Sequence, residues 1–312
     1  MQLVRRSRFS HAFIALLGAT CAWQAQSDSY SYQLVDHPGT ADTLVFGVNN
    51  KGSVVGNGFD GLNSHPFVYD SRKQMYTAVA PAAGYFDTVV FGINEAGVMV
   101  GGVDTSPDGS TSSGFIRSKD GTFTVFSHPD AFTFTQPRGI SSKGLVSGFR
   151  DVSDGSTVGF IFNPKNGTFV DFIPSRLTIP QGINARGDVV GSAFLEPDAA
   201  YPGSPPGLYG WLRKSNGAVS YFRVNDLPTR ARGLTDSGLI AGAVTGPAGT
   251  AAFVVSLQGL PYESLTVADA DLLVFPGNDF TFAGGIGNSG IVVGVTADPS
   301  GTSHGFIATK AK

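Results

Sequence analysis

The chain has 312 residues, of which 21 are basic and 24 acidic, so its formal net charge is −3. This balance argues against nucleic acid and anionic membrane surfaces as partners, because both require a basic patch. The 42 glycines, together with only 14% charged residues, are typical of a turn-rich β protein and exclude a disordered chain. A chain of this length buries a large core without disulfides.

The first predicted element is a signal peptide over residues 1–22. The basic stretch Arg5–Arg8 precedes an apolar run from Ala12 to Ala22, which is too short to span a bilayer. The single cysteine, Cys21, offers a lipoprotein anchor as the alternative, but Thr20 stands where an anchor signal has glycine or alanine. We expect an exported protein, periplasmic or extracellular, with no thiol and no integral membrane segment in its mature form.

Residues 29–312 are predicted to form one domain of six repeats. Each repeat has a Thr, three variable residues and then Gly-[Ile/Val/Leu]-x-x-x-Gly-x-[Val/Ile/Met]-x-Gly, starting at Thr43, Thr88, Thr135, Thr178, Thr229 and Thr281. The first glycines of neighbouring repeats are 43 to 52 residues apart. A unit of this length is typical of propellers and solenoids. What recurs in every repeat is expected to build the fold, so a site is expected where one repeat differs.

Each repeat predicts four antiparallel strands, which form one blade. The first two strands flank a tight turn such as Asn49–Gly52, the third carries an aromatic residue such as Phe160, and a fourth follows. The last repeat stops after its third strand, whereas Tyr30–Gly39 resembles a fourth strand. We therefore predict an all-β, six-bladed β-propeller whose N-terminal strand completes the last blade and closes the ring. An open β-solenoid, which would not need this split repeat, is the alternative.

Several phrases of the chain, Gly-Ile-Asn-x-x-Gly-x-Val-Val-Gly, His-Gly-Phe-Ile and Gly-Thr-Phe-Thr, resemble the bacterial extracellular repeats called the HAF family. The resemblance covers about residues 29–309. It implies an exported, propeller-like bacterial protein, and it implies no activity or catalytic residue. Ser141 and Thr235 stand where the phrase has Asn, which leaves the predicted fold unchanged.

Metal and cofactor sites are not expected from the sequence. The histidines occupy equivalent positions of different repeats, His37 with His128 and His65 with His304, which a ring holds apart. Aspartates recur in the loops between strands two and three, at Asp60, Asp104, Asp108, Asp151, Asp154, Asp198 and Asp298. Ca²⁺ binding there stays an alternative, but no loop has the alternating aspartates of a calcium loop, so ordinary turn chemistry is favoured.

Common enzyme motifs do not occur in a meaningful context. The chain has no Gly-x-Ser-x-Gly elbow between a strand and a helix, and no Gly-x-x-x-x-Gly-Lys-[Ser/Thr] loop. Its glycine pairs lack the βαβ unit that would make them a dinucleotide fingerprint.

The repeats differ most just before the first glycine of the innermost strand. In chain order this position holds Phe46, Phe91, Arg138, Gln181, Arg232 and Gly284. Arg230 lies two residues earlier in the fifth repeat. Arginines near a central channel can bind a carboxylate or phosphate bidentately. The alternative is that they pair with the acidic loops or reach solvent.

Two long loops add further candidates, because binding sites commonly form on long loops of a rigid scaffold. One is Ser192–Tyr209 and the other is Ser256–Phe280. The candidate ligand-binding residues are Arg138, Gln181, Arg230, Arg232, Glu196, Tyr201, Tyr209 and Asp226.

The leading hypothesis is a secreted, non-catalytic, monomeric propeller that binds a glycan, peptide or protein. The alternative is a hydrolase, lyase or isomerase at the channel mouth. It requires Arg138, Arg232 and a carboxylate such as Glu196 or Asp226 to meet in one deep pocket. A purely structural repeat protein is a third hypothesis.

Overall fold

The computed structural model describes residues 30–61, 63–172, 178–200, 203–257, 266–267 and 270–311. All regular secondary structure in these residues is β-strand. The predicted signal peptide, with Cys21, and the candidate residue Tyr201 lie outside them. No helix suited in length and apolar character to crossing a membrane occurs in these same ranges.

Four repeats each form one antiparallel sheet in strand order. The first contains β2 (Asp42–Val48), β3 (Ser53–Phe59), β4 (Ser64–Asp70) and β5 (Met75–Ala78). The second contains β6 (Thr88–Ile93), β7 (Met99–Asp104), β8 (Ser112–Arg117) and β9 (Phe123–Phe126). The third contains β10 (Thr135–Ile140), β11 (Val146–Asp151), β12 (Thr157–Asn163) and β13 (Thr168–Phe172). The fourth contains β14 (Thr178–Ile183), β15 (Val189–Leu195), β16 (Gly207–Arg213) and β17 (Val219–Val224), with the short β21 (Thr266–Val267) parallel to β17.

The last two repeats share one eight-stranded sheet. It contains β18 (Thr229–Leu234), β19 (Leu239–Gly246), β20 (Gly249–Ser256), β22 (Asp271–Leu273), β23 (Phe280–Ile286), β24 (Val292–Ala297), β25 (Ser303–Lys310) and β1 (Tyr30–Val35). The expectation of six separate four-stranded sheets is therefore wrong. A parallel pair between Thr250 and Phe280 joins the two repeats. Gly249 permits this approach, because a Cβ there would lie 2.3 Å from the Asp279 carbonyl oxygen that accepts the Thr250 N–H.

The first strands of the repeats, β2, β6, β10, β14, β18 and β23, lie next to one another in a β-propeller arrangement. Their backbones approach so closely that the first glycine of the repeat is needed. A Cβ on Gly92 would lie 3.1 Å from the Arg138 carbonyl oxygen. One on Gly285 would lie 2.5 Å from the Phe46 carbonyl oxygen, a contact that brings the last repeat against the first.

The Asn of the Gly-Ile-Asn phrase connects neighbouring repeats. Asn49 accepts the backbone N–H groups of Lys51 and Ser53 of its own turn, each at 3.0 Å. Its Nδ2 donates to the Asn94 carbonyl oxygen at 3.1 Å, and Asn94 Nδ2 donates in the same way to Ser141 at 3.2 Å. Because these side chains are buried, each hydrogen bond replaces one that water would otherwise make. The repeated Asn thus fixes both the turn and the spacing of the repeats.

The core of each repeat is built around the aromatic residue of its third strand. These residues are Phe67, Phe115, Phe160, Trp211, Phe253 and Phe306, and all are 0% exposed. Each ring packs over the repeated residue Gly56, Gly101, Gly148, Gly191 or Gly242 in the first five repeats. The aromatic side chain and the last glycine of the phrase are therefore one packing unit, in which the absence of a Cβ makes room for the ring.

The N-terminal strand β1 pairs antiparallel with β25, from Tyr30↔Lys310 to Val35↔Gly305. It follows the third strand of the last repeat, as the sequence predicted, although it does so within the eight-stranded sheet. Val35 is fully buried there. The two ends of the described chain are thus held in one sheet.

His304 adds an electrostatic link between these ends. Its Nδ1 lies 3.0 Å from Asp36 Oδ1, and its Nε2 lies 3.5 Å from Asp298 Oδ2. Burial lowers the pKa of His304, but hydrogen bonds and charge interactions with the two carboxylates raise it above 6.5 overall. The imidazolium therefore stabilises the fold fully below the unfolded-state pKa, and this contribution is lost as the pH rises through the higher folded-state pKa.

We expect His304→Gln to lower the free energy of unfolding at about pH 5, by up to about 1 kcal/mol since the groups are partly exposed. At about pH 9 the variant and the wild type should be equally stable. Urea unfolding at the two pH values measures both differences. If the free energies of unfolding of the variant and the wild type differ by the same amount at both pH values, the ion pairs of His304 do not contribute to stability.

Candidate functional site

A cavity of about 100 Å³ lies where the first strands of the repeats meet. Its lining includes the residue before the first glycine in every repeat, Phe46, Phe91, Arg138, Gln181, Arg232 and Gly284. Side chains alternate along a strand, and the preceding residue of the first repeat, Val45, is fully buried on the other side. The strand pattern therefore turns this variable position toward the cavity. Three predicted site residues, Arg138, Gln181 and Arg232, meet there.

The two arginines of the cavity lie against aromatic rings. Arg138 Cζ is 4.0 Å from the centroid of the Phe91 ring, and Arg232 Cζ is 4.6 Å from that of Phe282. Arg138 also donates from Nη2 to Gln136 Oε1 at 2.9 Å, while its buried Nε has no hydrogen-bond partner among the described residues. Cation–π contacts of this kind orient a planar guanidinium without neutralising it.

The arginines at the cavity are subject to burial and to repulsion between their charges. Burial lowers the pKa of Arg138 to about 10. Burial, with the charges of Arg138 and Arg230, lowers the pKa of Arg232 to about 9. Neither Arg138 nor Arg230 lies within 4.0 Å of a carboxylate of the described residues. At neutral pH all three remain charged, so an anion entering the cavity would meet guanidinium groups already stripped of much of their water.

Two carboxylates that the sequence analysis did not select, Glu95 and Asp236, also line the cavity. Each lies in the turn after its strand, four residues beyond the cavity position of that strand. Glu95 accepts the Asn50 N–H at 2.9 Å, and Asp236 accepts the Ala185 N–H at 2.7 Å. These bonds tie each turn to the preceding repeat. Their regular position four residues beyond the variable one is the signal that could have revealed them.

The remaining predicted residues do not join the arginines. Glu196 and Asp226 are exposed in loops and do not line the cavity. Tyr209 is 1% exposed, and its hydroxyl donates to the Pro205 carbonyl oxygen at 2.8 Å. Its predicted place on a recognition surface is wrong, because β16 turns it into the core of the fourth repeat. The convergence of Arg138 and Arg232 with Glu196 or Asp226, which the enzyme hypothesis required, does not occur.

One group among the described residues has the composition of a metal site: His128, Asp130 and Asp171, with ligand atoms within 4.8 Å of one another. The ring nitrogens of His128 and the carboxylate oxygens of Asp171 already have partners. His128 Nδ1 accepts the Asp130 N–H at 3.1 Å, so its ring proton lies on Nε2, 2.9 Å from Asp171 Oδ1. Arg150 Nη2 donates to the other oxygen of Asp171 at 3.0 Å. A metal ion would have to displace these bonds beside a positive charge, so the group is a hydrogen-bonded network.

Comparison with known proteins gives structural likeness without sequence likeness. No protein-family model matches the chain, and no curated protein matches it in sequence. The chain is similar to TolB from Acinetobacter baumannii, with 12% identity and a TM-score of 0.54, over 70% of this chain and 53% of that one. It therefore spans about half the length of TolB.

Two further structures align over nearly their whole length. A luciferin-regenerating enzyme has 10% identity and a TM-score of 0.56, over 90% of this chain and 95% of that one. The β-propeller domain of the Trilobed protease from Pyrococcus furiosus has 11% identity and a TM-score of 0.49, over 89% and 97%. At such identities structural likeness concerns the fold and not the activity. The order of strands in the sheets and the adjacency of the first strands show a β-propeller arrangement.

Proposed function

We propose that this chain is an exported, non-catalytic β-propeller whose axial cavity binds an acidic group of a glycan, peptide or protein ligand. Export, by way of a signal peptide over residues 1–22 and in the manner of the HAF-family repeats, rests on the sequence. We also propose six blades in a closed ring. In support, the eight-stranded sheet consists of two groups of four strands that the pair Thr250↔Phe280 joins. Gly285 also lies against Phe46, so the last repeat lies next to the first.

The observation that carries the binding function is the set of arginines around the cavity. Arg138 and Arg232 present guanidinium groups in a partly desolvated space, and the charges of Arg138 and Arg230 act on Arg232. Like charges held close together repel each other, and a bound anion would reduce this repulsion. A carboxylate, sulfate or phosphate can accept bidentate hydrogen bonds from either guanidinium.

The size of the cavity limits what enters it. A volume of about 100 Å³ holds a few water molecules or one small acidic group. The body of a larger ligand would therefore lie on the face of the propeller, with its acidic group inserted. Phe46 and Phe91, whose ring centroids are 5.4 Å apart, offer an apolar wall for the carbon atoms next to that group.

Binding without chemistry is favoured over an enzyme because the carboxylates of the cavity are already engaged in structural hydrogen bonds. Among the described residues, the carboxylates that line the cavity are Glu95 and Asp236. Backbone N–H groups hold each of them in place. A hydrolase, lyase or isomerase would need an acid or base within hydrogen-bonding reach of the reacting group.

The test is titration of the protein with sulfate, phosphate, citrate and acidic oligosaccharides or peptides, followed by calorimetry and thermal unfolding. We expect an anion-dependent rise in the melting temperature, corresponding to about 2.7 kcal/mol at 100 times the dissociation constant. Arg138→Gln should weaken binding at least about tenfold, the loss of one charge-assisted hydrogen bond. The control is Arg117→Gln, since Arg117 also stacks on a phenylalanine, Phe123, but lies outside the cavity.

Two results would contradict the proposal. Equal loss of binding in the Arg117 and Arg138 variants, or no response to any anion, would refute the axial site. A ligand recovered chemically altered after incubation would refute the non-catalytic function and return the enzyme hypothesis.

A further inference from the structure

Asp104 is a buried carboxylate without a countercharge. It ends β7, at the start of the loop between the second and third strands of the second repeat, and is 5% exposed. Its Oδ1 has no hydrogen-bond partner among the described residues. Burying an ionised carboxylate in this way costs several kcal/mol unless a proton, a hydrogen-bonded partner or a metal ion compensates it. Among the described residues, no hydrogen-bond donor compensates the burial of this carboxylate oxygen.

The groups that act on Asp104 are themselves acidic. After burial, the charges of Asp87 and Asp108 raise the pKa of Asp104, to about 7. Asp87 precedes β6, and the Asp104 N–H donates to its carbonyl oxygen at 3.0 Å, which places the two residues side by side. Lys and Arg make no ion pair within 4.0 Å with any of the three aspartates in the described ranges. Burial raises the pKa of Asp87, and the charge of His65, which pairs with Asp60 at 2.8 Å, opposes this rise only in part.

The loop after Asp104 folds back over its carboxylate. A Cβ on Gly109 would lie 3.2 Å from Asp104 Oδ2. Asp108, one residue earlier, is held by the Ser106 hydroxyl at 2.8 Å and the Ser110 N–H at 3.0 Å, both on its Oδ1. On the other side, Asp87 Oδ2 accepts the Ser64 hydroxyl at 2.8 Å. The segments that carry Asp87 and Asp108 therefore both lie close to the Asp104 carboxylate.

We propose that Asp104 and Asp87 bind a Ca²⁺ ion between these two loops, and that the negative charge of Asp108 helps to neutralise the ion. Ca²⁺ takes six to eight oxygen ligands in flexible geometry, which suits carboxylates drawn from separate segments together with loop oxygens and water. Mg²⁺ requires near-ideal octahedral geometry and suits this arrangement less. The ion would join the loop before β6 to the loop after β7. This site shares no residue with the arginine cavity and does not depend on the proposed function.

Asp104 and Asp108 are among the loop aspartates for which the sequence left Ca²⁺ as an alternative, whereas Asp87, 17 residues before Asp104 in another loop, was not among them. A calcium loop with alternating aspartates draws its ligands from one segment. In the His128 group, by contrast, both ring nitrogens of His128 and both carboxylate oxygens of Asp171 already have partners. Asp104 differs because its carboxylate is both buried and unpartnered.

The experiment is calcium titration of chelator-treated protein, followed by calorimetry and thermal unfolding. We expect one Ca²⁺ per chain and a melting temperature that rises with Ca²⁺ concentration. Asp104→Asn and Asp87→Asn should each weaken binding at least about tenfold, because ligand charge sets affinity. Both variants should fold, since each removes a negative charge from an acidic cluster. Asp130→Asn is the matched control and should bind Ca²⁺ like the wild type.

A wild type that shows neither heat nor a melting shift with Ca²⁺ would overturn the proposal, leaving a buried protonated acid. Affinity unchanged in Asp104→Asn would overturn it too, and tighter binding of Mg²⁺ than of Ca²⁺ would overturn the choice of ion.

Discussion

Replacing Arg232 by methionine should give a protein that is more stable than the wild type and that no longer binds anions. In the folded protein, burial and the charges of Arg138 and Arg230 lower the pKa of Arg232 to about 9. A cation whose pKa is lower in the folded than in the unfolded state destabilises the fold at every pH below its folded-state pKa. The free energy of unfolding of the wild type should accordingly rise as the pH increases from about 9 toward the ordinary pKa of arginine.

The expected gain is about 1–3 kcal/mol in the free energy of unfolding near pH 7, measured in urea. It is smaller than the pKa change alone suggests, because Arg232 is only partly buried and solvent screens its charge. Methionine retains an apolar chain that can pack on Phe282, so little contact is lost. The stabilisation thus reports the charge, and not the packing.

The control for this prediction is Arg117→Met, which lies outside the cavity and should give no gain. Adding the anion found in the titration should narrow the difference between Arg232→Met and the wild type, because the anion stabilises only the wild type. An Arg232→Met variant that is less stable than the wild type would show that Arg232 is already compensated in the fold. The axial anion site would then be refuted.

Gly101→Ala should destabilise the protein by about 3 kcal/mol or more, the upper range for overpacking in a close-packed core. A Cβ on Gly101 would lie 1.9 Å from the Val89 carbonyl oxygen and 2.7 Å from two atoms of the Phe115 ring. Since Phe115 is 0% exposed and enclosed by neighbouring strands, neither the ring nor the backbone of β6 can move without opening the blade. The destabilisation should appear as a lower midpoint in urea with an unchanged slope.

The matched control is Gly287→Ala. The nearest atoms to a Cβ at Gly287 are 3.5 to 3.6 Å away, and its φ lies outside the left-handed region. This substitution should therefore change the free energy of unfolding by no more than about 0.5 kcal/mol. Similar losses in Gly101→Ala and Gly287→Ala would mean that the space taken by the aromatic ring does not explain the repeated glycine.

The repeated and unrepeated residues of this chain have different roles. The repeated Asn and glycines serve contacts that every repeat makes with itself or its neighbour. At the position before the first glycine the side-chain contacts differ from repeat to repeat, as in the Phe46–Phe91 ring pair and the Arg138 guanidinium over Phe91, so its residue type varies. In our proposal this freedom is what allows a binding site at the centre of a repetitive structure.

The sequence by itself determined the features that depend on local chemistry and period. Strand alternation and the repeat length predicted an all-β propeller, the pairing of the N-terminal strand with the last one, and which residue of each repeat faces the axis. These follow from the alternation of side chains along a strand and from glycine at close approaches. Each repeat shows the same sequence pattern, so the pattern can be recognised within a single chain.

Only the tertiary structure decided which groups meet across repeats. It placed Arg138 and Arg232 around one cavity without Glu196 or Asp226, turned Tyr209 into the core, and joined the last two repeats into one sheet. It also brought Asp87 beside Asp104. The physical reason is that the period of a strand fixes the side to which a residue points. The distance between residues of different strands and loops depends instead on how the sheets pack and how each loop folds.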